Sequence, residues 1–176
     1  MTQYSKRMVI VHWLTLALLI VAWFLGDTLA EATDDDKATV LGYALHLSVG
    51  GTILLLSLAR IYFRRSDGTP ALLADTPLNL IAAKSVHYAL YTALVLLPIS
   101  GVVTVITSGA GKALLAGDAS LLPKEADYEK LLALEVHETL VAILIVLVVL
   151  HILGAIKHQF IMKDGLMSRM GWRSKD

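Results

Sequence analysis

The sequence predicts an all-α integral membrane protein: a bundle of four transmembrane helices with both chain ends on the cytoplasmic side. Three observations carry this expectation. The 176 residues are 56% hydrophobic and 17% charged, with a mean hydropathy of +0.68, whereas soluble domains run near ~45–50% apolar and ~25% charged. A soluble chain of about 150 residues buries only ~70% of the surface it exposes unfolded, too little to hide this much apolar area. Four stretches lack formal charge over the roughly 20 residues a helix needs to cross ~30 Å of hydrocarbon. Finally, the basic residues divide sharply between the loops.

The uncharged runs are Met8–Leu25, Ala38–Ala59, Ser85–Gly111 and Thr139–Ile156. None alternates with period two, so helices are expected and barrel strands are not. The spans are placed at about 8–25, 38–62, 82–108 and 134–158, within a single membrane domain over 1–176. There is no internal repeat, low-complexity tract or linker. The first run follows Lys6 and Arg7, the pattern of a cleaved leader. It also carries His12, a poor choice for a discarded segment, so it is expected to be a retained span. In the third run Pro98 and Gly101 predict a kink or local unwinding. Glu125–His137 (EADYEKLLALEVH) reads as helix, so the fourth span is expected to start outside the hydrocarbon.

Orientation follows from loop basic residues. Segments 1–7, 60–84 and 157–176 hold eleven Lys and Arg against four acids. Segments 26–37 and 112–138 hold four against eleven. The first set is therefore expected in the cytoplasm. The whole-chain net charge of zero conceals +7 on one side and −7 on the other. The zero total excludes a wholesale nucleic-acid binder. The absence of Cys excludes disulfide scaffolds, cysteine-ligated iron–sulfur clusters and thioether-attached haem. The run Asp34-Asp35-Asp36 is most simply a solvated outer loop.

What remains distinctive is six histidines. Ionisable residues within spans are costly and mark function by default. By depth, His46 and His137 fall in the outer half, and His12, His87 and His151 in the inner half or at its edge. His158 follows Lys157 at the inner boundary. His137 and His151 are 14 residues apart, which is ~21 Å along a helix and about 40° around it. One helix thus presents two imidazoles on one stripe, one per leaflet. Two stacked haems sharing that helix as a source of axial ligands need this separation. In the outer half the only pairing is His46 with His137. Gly50 and Gly51, one turn below His46, would let a flat macrocycle approach. In the inner half His151 can pair with His12 or His87. His158 shares its helix and cannot face it. Depth prefers His12, because His87 lies three residues from Lys84 and close to the headgroups. Interhelical hydrogen bonding is the ordinary role of a single such histidine, but two depth-matched sets exceed it. A zinc site would need ligands a few ångströms apart, against the ~21 Å between His137 and His151.

Several segments carry a resemblance. These are YSKRMVIVHWL with His12-Trp13, ALHLSVG around His46, LLPISGVV in the third run, VHETLV around His137, and His151 seven residues before His158. With these, nearly the whole chain resembles the bacterial cytochrome b561 family, four-helix di-haem cytochromes of the inner membrane. Within the family it looks most like the stand-alone members that oxidise superoxide and reduce ubiquinone. The resemblance implies two haem b groups with bis-histidine ligation. His46 and His137 would hold the outer haem iron, and His12 and His151 the inner one, which settles His12 over His87. Bis-histidine ligation leaves no open iron position, so the implied role is electron relay.

On this reading an outer-side donor, superoxide or another periplasmic reductant, delivers electrons, and ubiquinone near the cytoplasmic side collects them. His158 and His87 are the candidate proton donors to the quinone. Arg60, at the inner end of the second span, is the candidate partner of a haem propionate, with snorkelling as its ordinary role. Trp13, Trp23, Tyr43, Tyr88 and Tyr91 read as interfacial belt residues. Superoxide is an anion and the outer loops are acidic, so steering would require a local basic spot from Lys112, Lys124 or Lys130. A rival is a quinone-linked cytochrome fed by a protein partner. A rival of another class is a haem-free histidine-relay proton channel or transporter.

Overall fold

In a lipid environment each backbone N–H and C=O must be paired within its own segment, which leaves the helix as the spanning element for these apolar runs. The computed structural model describes residues 3–30, 40–73, 76–123 and 131–171. It holds four long helices: α1 (Lys6–Ala30), α2 (Val40–Asp67), α3 (Pro77–Ser108) and, after a short helix α4 (Ala110–Ala116), α5 (Leu132–Ile156). All four long helices are long and apolar enough to cross a membrane. Each of the first three continues past its uncharged run at one or both ends, into polar or charged residues. Among the described residues there is no strand. The expected helix over Glu125–His137 is described only from Leu132; its first part, with Lys124 and Lys130, lies outside the described residues, as does Asp34-Asp35-Asp36.

Local chemistry sets the ends of α3. Thr76 is in an extended conformation and its hydroxyl accepts from the Asn79 N–H at 3.2 Å, with Pro77 at the first helical position. Gly109 closes the helix at φ 83°, a left-handed conformation that glycine adopts without steric cost. Between these ends α3 remains helical through Pro98 and Gly101, so the expected local unwinding does not occur. Pro98 removes one backbone donor, which the rest of a 32-residue helix tolerates.

α1 packs on α2, α3 packs on α5, and α2 against α3 joins the two hairpins. The core at mid-bundle is Ile53, Ala93, Leu94 and Leu144, with Leu18, Ala22, Val49, Leu97 and Leu147 around it. Large apolar side chains on the outside, such as Phe24, Leu55, Ile106 and Val146, are exposed. That is the expected state of helices apolar on all sides and solvated by lipid tails. Buried hydroxyls return to their own helix: Thr15 donates to the Val11 carbonyl, Ser57 to Ile53 and Ser100 to Leu97, each at 2.7 Å.

The end of the bundle carrying the start of α1 and the end of α5 is the basic one, and it is tied across the chain. The Arg7 guanidinium clasps Asp67 and lies 4.4 Å from the Phe63 ring centre. Ser5 also donates to Asp67, at 2.5 Å. A 3-10 turn, Leu166–Met170, straps this end. The Tyr4 N–H donates to the Arg169 carbonyl (3.2 Å), the Trp13 indole to the Met170 carbonyl (3.1 Å), and Arg169 Nη1 to the Ala71 carbonyl (2.7 Å). Trp13 is therefore a hydrogen-bonded strut as well as an interfacial ring. Because the chain has no Cys, orientation is open to single-cysteine labelling. In intact cells Ser120→Cys is expected to react with a membrane-impermeant maleimide and Met167→Cys to react only after permeabilisation; the reverse pattern would invert the bundle.

Candidate functional site: two histidine pairs stacked in the bundle

α5 lies against α3 and presents His137 near its start and His151 near its end. At the acidic end His46 of α2 meets His137, with ring centres 6.3 Å apart and planes at 72°. At the basic end His12 of α1 meets His151 at 6.2 Å, also at 72°. These separations have a simple chemical meaning. A transition-metal ion takes an imidazole nitrogen at about 2.0–2.1 Å. Adding roughly 1.1 Å from ring atom to ring centre on each side puts two rings facing across one ion about 6.3 Å apart. Both pairs meet that spacing. His87 of α3 lies 5.5 Å from His151 at 64°, too close for the same arrangement. His87, which the sequence places at the inner end of the third span, joins the basic-end cluster as a third ring.

The acidic-end pair shows how its rings are oriented. Ser100 Oγ gives its one hydrogen to the Leu97 carbonyl at 2.7 Å. Toward His137 Nδ1, 2.9 Å away, it can then only accept. The neutral ring therefore carries its proton on Nδ1 and keeps the Nε2 lone pair free for a metal, the orienting role of an outer-sphere hydrogen bond. Both rings press on a glycine of the neighbouring helix. A Cβ at Gly101 would lie 3.1 Å from His137 Cε1, and one at Gly26 would lie 3.2 Å from His46 Cε1. Gly50 and Gly51, which the sequence singled out, have no protein atom within 4 Å of where a Cβ would stand, so the space beside them is open, as the approach of a flat macrocycle requires. His46 Nδ1 is buried and has no hydrogen-bond partner of ordinary geometry.

At the basic end Arg60 of α2 lies 5.5 Å from the Tyr91 ring centre, its Nε buried without a partner. A buried guanidinium nitrogen without a partner has room for an acceptor, and a haem carboxylate is one such group. Nearby, Arg64, Leu72, Lys84, His87, Tyr88 and Tyr91 line a small cleft. His158 stands on a π-helical turn, Lys157–Met162, that continues α5. Its Nδ1 is 2.5 Å from Asp164 Oδ2. The hydrogen bond from His158 holds the Asp164 carboxyl below the usual carboxylate range. This contact is not legible in the sequence, because residues six apart on a regular helix do not share a face. At the acidic end, the Ser120 side chain holds the Asp118 carboxyl low by hydrogen bonding, so it stays ionised. Lys112 is exposed there on α4.

A four-helix membrane bundle with two stacked imidazole pairs is the build of a membrane cytochrome of the b type. The chain belongs to the prokaryotic cytochrome b561 family, which matches residues 3–173. It is similar to cytochrome b561 homolog 1 of Escherichia coli (24% identical, covering 99% of this chain and 100% of that one). It is also similar to cytochrome b562 of Cereibacter sphaeroides (28%; 95% and 94%) and to a probable superoxide oxidase of Yersinia pestis (26%; 96% and 95%). No solved structure matches the chain. Membership implies haem b and electron transport in a bacterial membrane, and a superoxide oxidase relative suggests oxidoreductase activity.

Replacing either cradle glycine by valine is expected to push the adjacent ring off its position and lower the haem retained per chain. A pyridine haemochrome count on the purified variants checks this, and haem equal to that of the unaltered protein in both would remove the cradle's role.

Proposed function

We propose that the chain is a di-haem b cytochrome that moves electrons from a donor on its outer side, superoxide in the first instance, to ubiquinone near the cytoplasmic side of the bacterial inner membrane. The observation that carries the reading is the pair of ring separations, 6.3 Å and 6.2 Å, both at the spacing of two imidazoles across one iron. Bound between them, haem b supplies two one-electron carriers in series, one in each leaflet. Everything else is the work of the chain's own residues.

His46 and His137 would hold the outer haem iron, and His12 and His151 the inner one. Ser100 orients His137. Gly26 and Gly101 let the outer rings sit against the helix backbones. Arg60 would receive a propionate of the inner haem, which would answer its unpartnered Nε. An iron held by two imidazoles would serve electron relay and not oxygen binding. The apolar bundle keeps water away from the carriers. Quinone reduction also takes protons. His158, at the cytoplasmic edge, hands them over, and His87, beside His151 and at the lining of the cleft that reaches Lys84, is the second such group.

One observation favours a second reading, a cytochrome of the same build fed by a protein reductant. The outer segments are acidic, seven negative charges in net, and Asp118 stays ionised among them. Such a surface repels superoxide except where Lys112 and its neighbours offset it. A cationic protein donor would meet no such barrier.

Pulse radiolysis separates the two. Superoxide is expected to reduce the haems of the purified protein at close to the diffusion limit, ~10⁸–10⁹ M⁻¹s⁻¹ or faster. A rate many orders lower would leave the protein-fed reading. The haem assignment is tested by titration. His46→Ala is expected to lose one haem per chain and keep the other, and His12→Ala to do the same with the remaining α-band the other one. Two variants with identical residual spectra would contradict separate sites.

A further inference from the structure

We propose that Asp164 is the positioning residue of proton transfer to the quinone: its carboxylate holds the His158 ring by Nδ1–H and leaves Nε2 as the atom that gives up the proton. This rests on the quinone reading above and adds the residue that makes His158 competent for it.

The backbone is built to bring these two side chains together. On a regular helix, residues six apart are about 240° apart around the axis and ~9 Å along it. Here the last residues of the fourth span form a π-helical turn, Lys157–Met162, a rare form that is frequent at functional sites. Lys163 follows at φ 52°, the one non-glycine residue with positive φ among the described residues, a conformation that persists where surrounding structure enforces it. The N–H groups of Lys163 and Asp164 both turn back to the His158 carbonyl, the latter at 3.4 Å. The chain thereby doubles under the ring, and Asp164 Oδ2 reaches Nδ1 at 2.5 Å. The other carboxylate oxygen accepts from the Leu166 N–H at 3.1 Å, so the acid is gripped from both sides. Arg169, on the following turn, adds a favourable charge, and it is itself held to the Ala71 carbonyl.

A carboxylate only accepts. With Nδ1–H committed to it, Nε2 is the single exchangeable position, as in the aspartate–histidine pairs of hydrolases. The two side chains are 17% and 20% exposed. The ring therefore faces the membrane boundary while remaining within reach of cytoplasmic water. Ubiquinone becomes ubiquinol by taking two electrons and two protons. The electrons come singly, each from one superoxide that leaves as dioxygen. Each proton leaves His158 Nε2 for a quinone oxygen, and the ring regains it from water.

The test uses the haem-loaded protein, reduced with dithionite and mixed with ubiquinone-1 in a stopped-flow instrument, with haem reoxidation as the signal. Asp164→Asn keeps an acceptor and removes the charge. It is expected to lower the limiting rate about tenfold, a fraction of the ~10²–10⁴ that a placed general acid contributes. The half-saturating quinone concentration should stay within twofold, and the haem count and spectrum should be unchanged. His158→Gln should be at least as slow, and adding Asp164→Asn to it should slow it no further, because the acid acts through the ring. Asp164→Glu, which keeps the carboxylate, should recover most of the rate. If Asp164→Asn keeps the full limiting rate while His158→Gln is slow, or if the double variant is slower than His158→Gln, the positioning role is overturned and the proposed function stands. A full rate in His158→Gln overturns both the donor and its positioning residue. Should the Asn variant lose haem, the Glu variant decides alone: a rate as low as that of His158→Gln overturns the proposal.

Discussion

The hydrocarbon offers no water, so a polar atom within these helices must find its partner inside the bundle or go unpaired at a cost of several kcal/mol. The arrangement follows from this. Thr15, Ser57 and Ser100 fold their hydroxyls back onto their own helix. His137 takes Ser100. Among the described residues the charged contacts lie at the basic end, where Arg7 meets Asp67 and His158 meets Asp164. Against that economy two buried atoms stand out among the described residues, His46 Nδ1 and Arg60 Nε. One belongs to a ring pair at metal spacing, the other to a cation beside the second pair. The bundle is thus self-sufficient except where a charged, planar, iron-bearing group would complete it.

Depth and direction were legible from the sequence because both are one-dimensional. Runs of uncharged residues gave the helices, and the 14-residue interval on α5 put one imidazole in each half. The pairing of His46 with His137 followed from there being no other histidine at that level. What the sequence left open is lateral. Helices that are apolar on all sides carry little information about their rotation, so the approach of Gly26 to His46, of Gly101 to His137 and of His87 to His151 could not be read. Pro98 and Gly101 predict a kink or local unwinding, yet α3 stays helical through both, because one lost hydrogen bond weighs little in a helix packed along its length. Asp164 was hidden for a different reason. A π turn changes the residue spacing itself, and no periodic template anticipates it.

The basic end does more than orient the chain. Arg60 sits near His12, His87 and His151, and Arg64 and Lys84 line the adjoining cleft. Positive charge close to a redox group favours its reduced form, so under the proposed function a carrier held at this end would be easier to reduce than one held at the acidic end. The basic residues that orient the bundle would then also bias the direction of electron movement.

The strap at that end ties the first helix to the last turn, with Trp13 on Met170 and Tyr4 on Arg169. The two histidine levels therefore differ in what braces them: the His12 level is fastened by a segment that follows the fourth span, whereas His46 and His137 stand on spanning helices. Loosening the strap would free the basic end of the bundle and leave the residues of the acidic-end level in their helices.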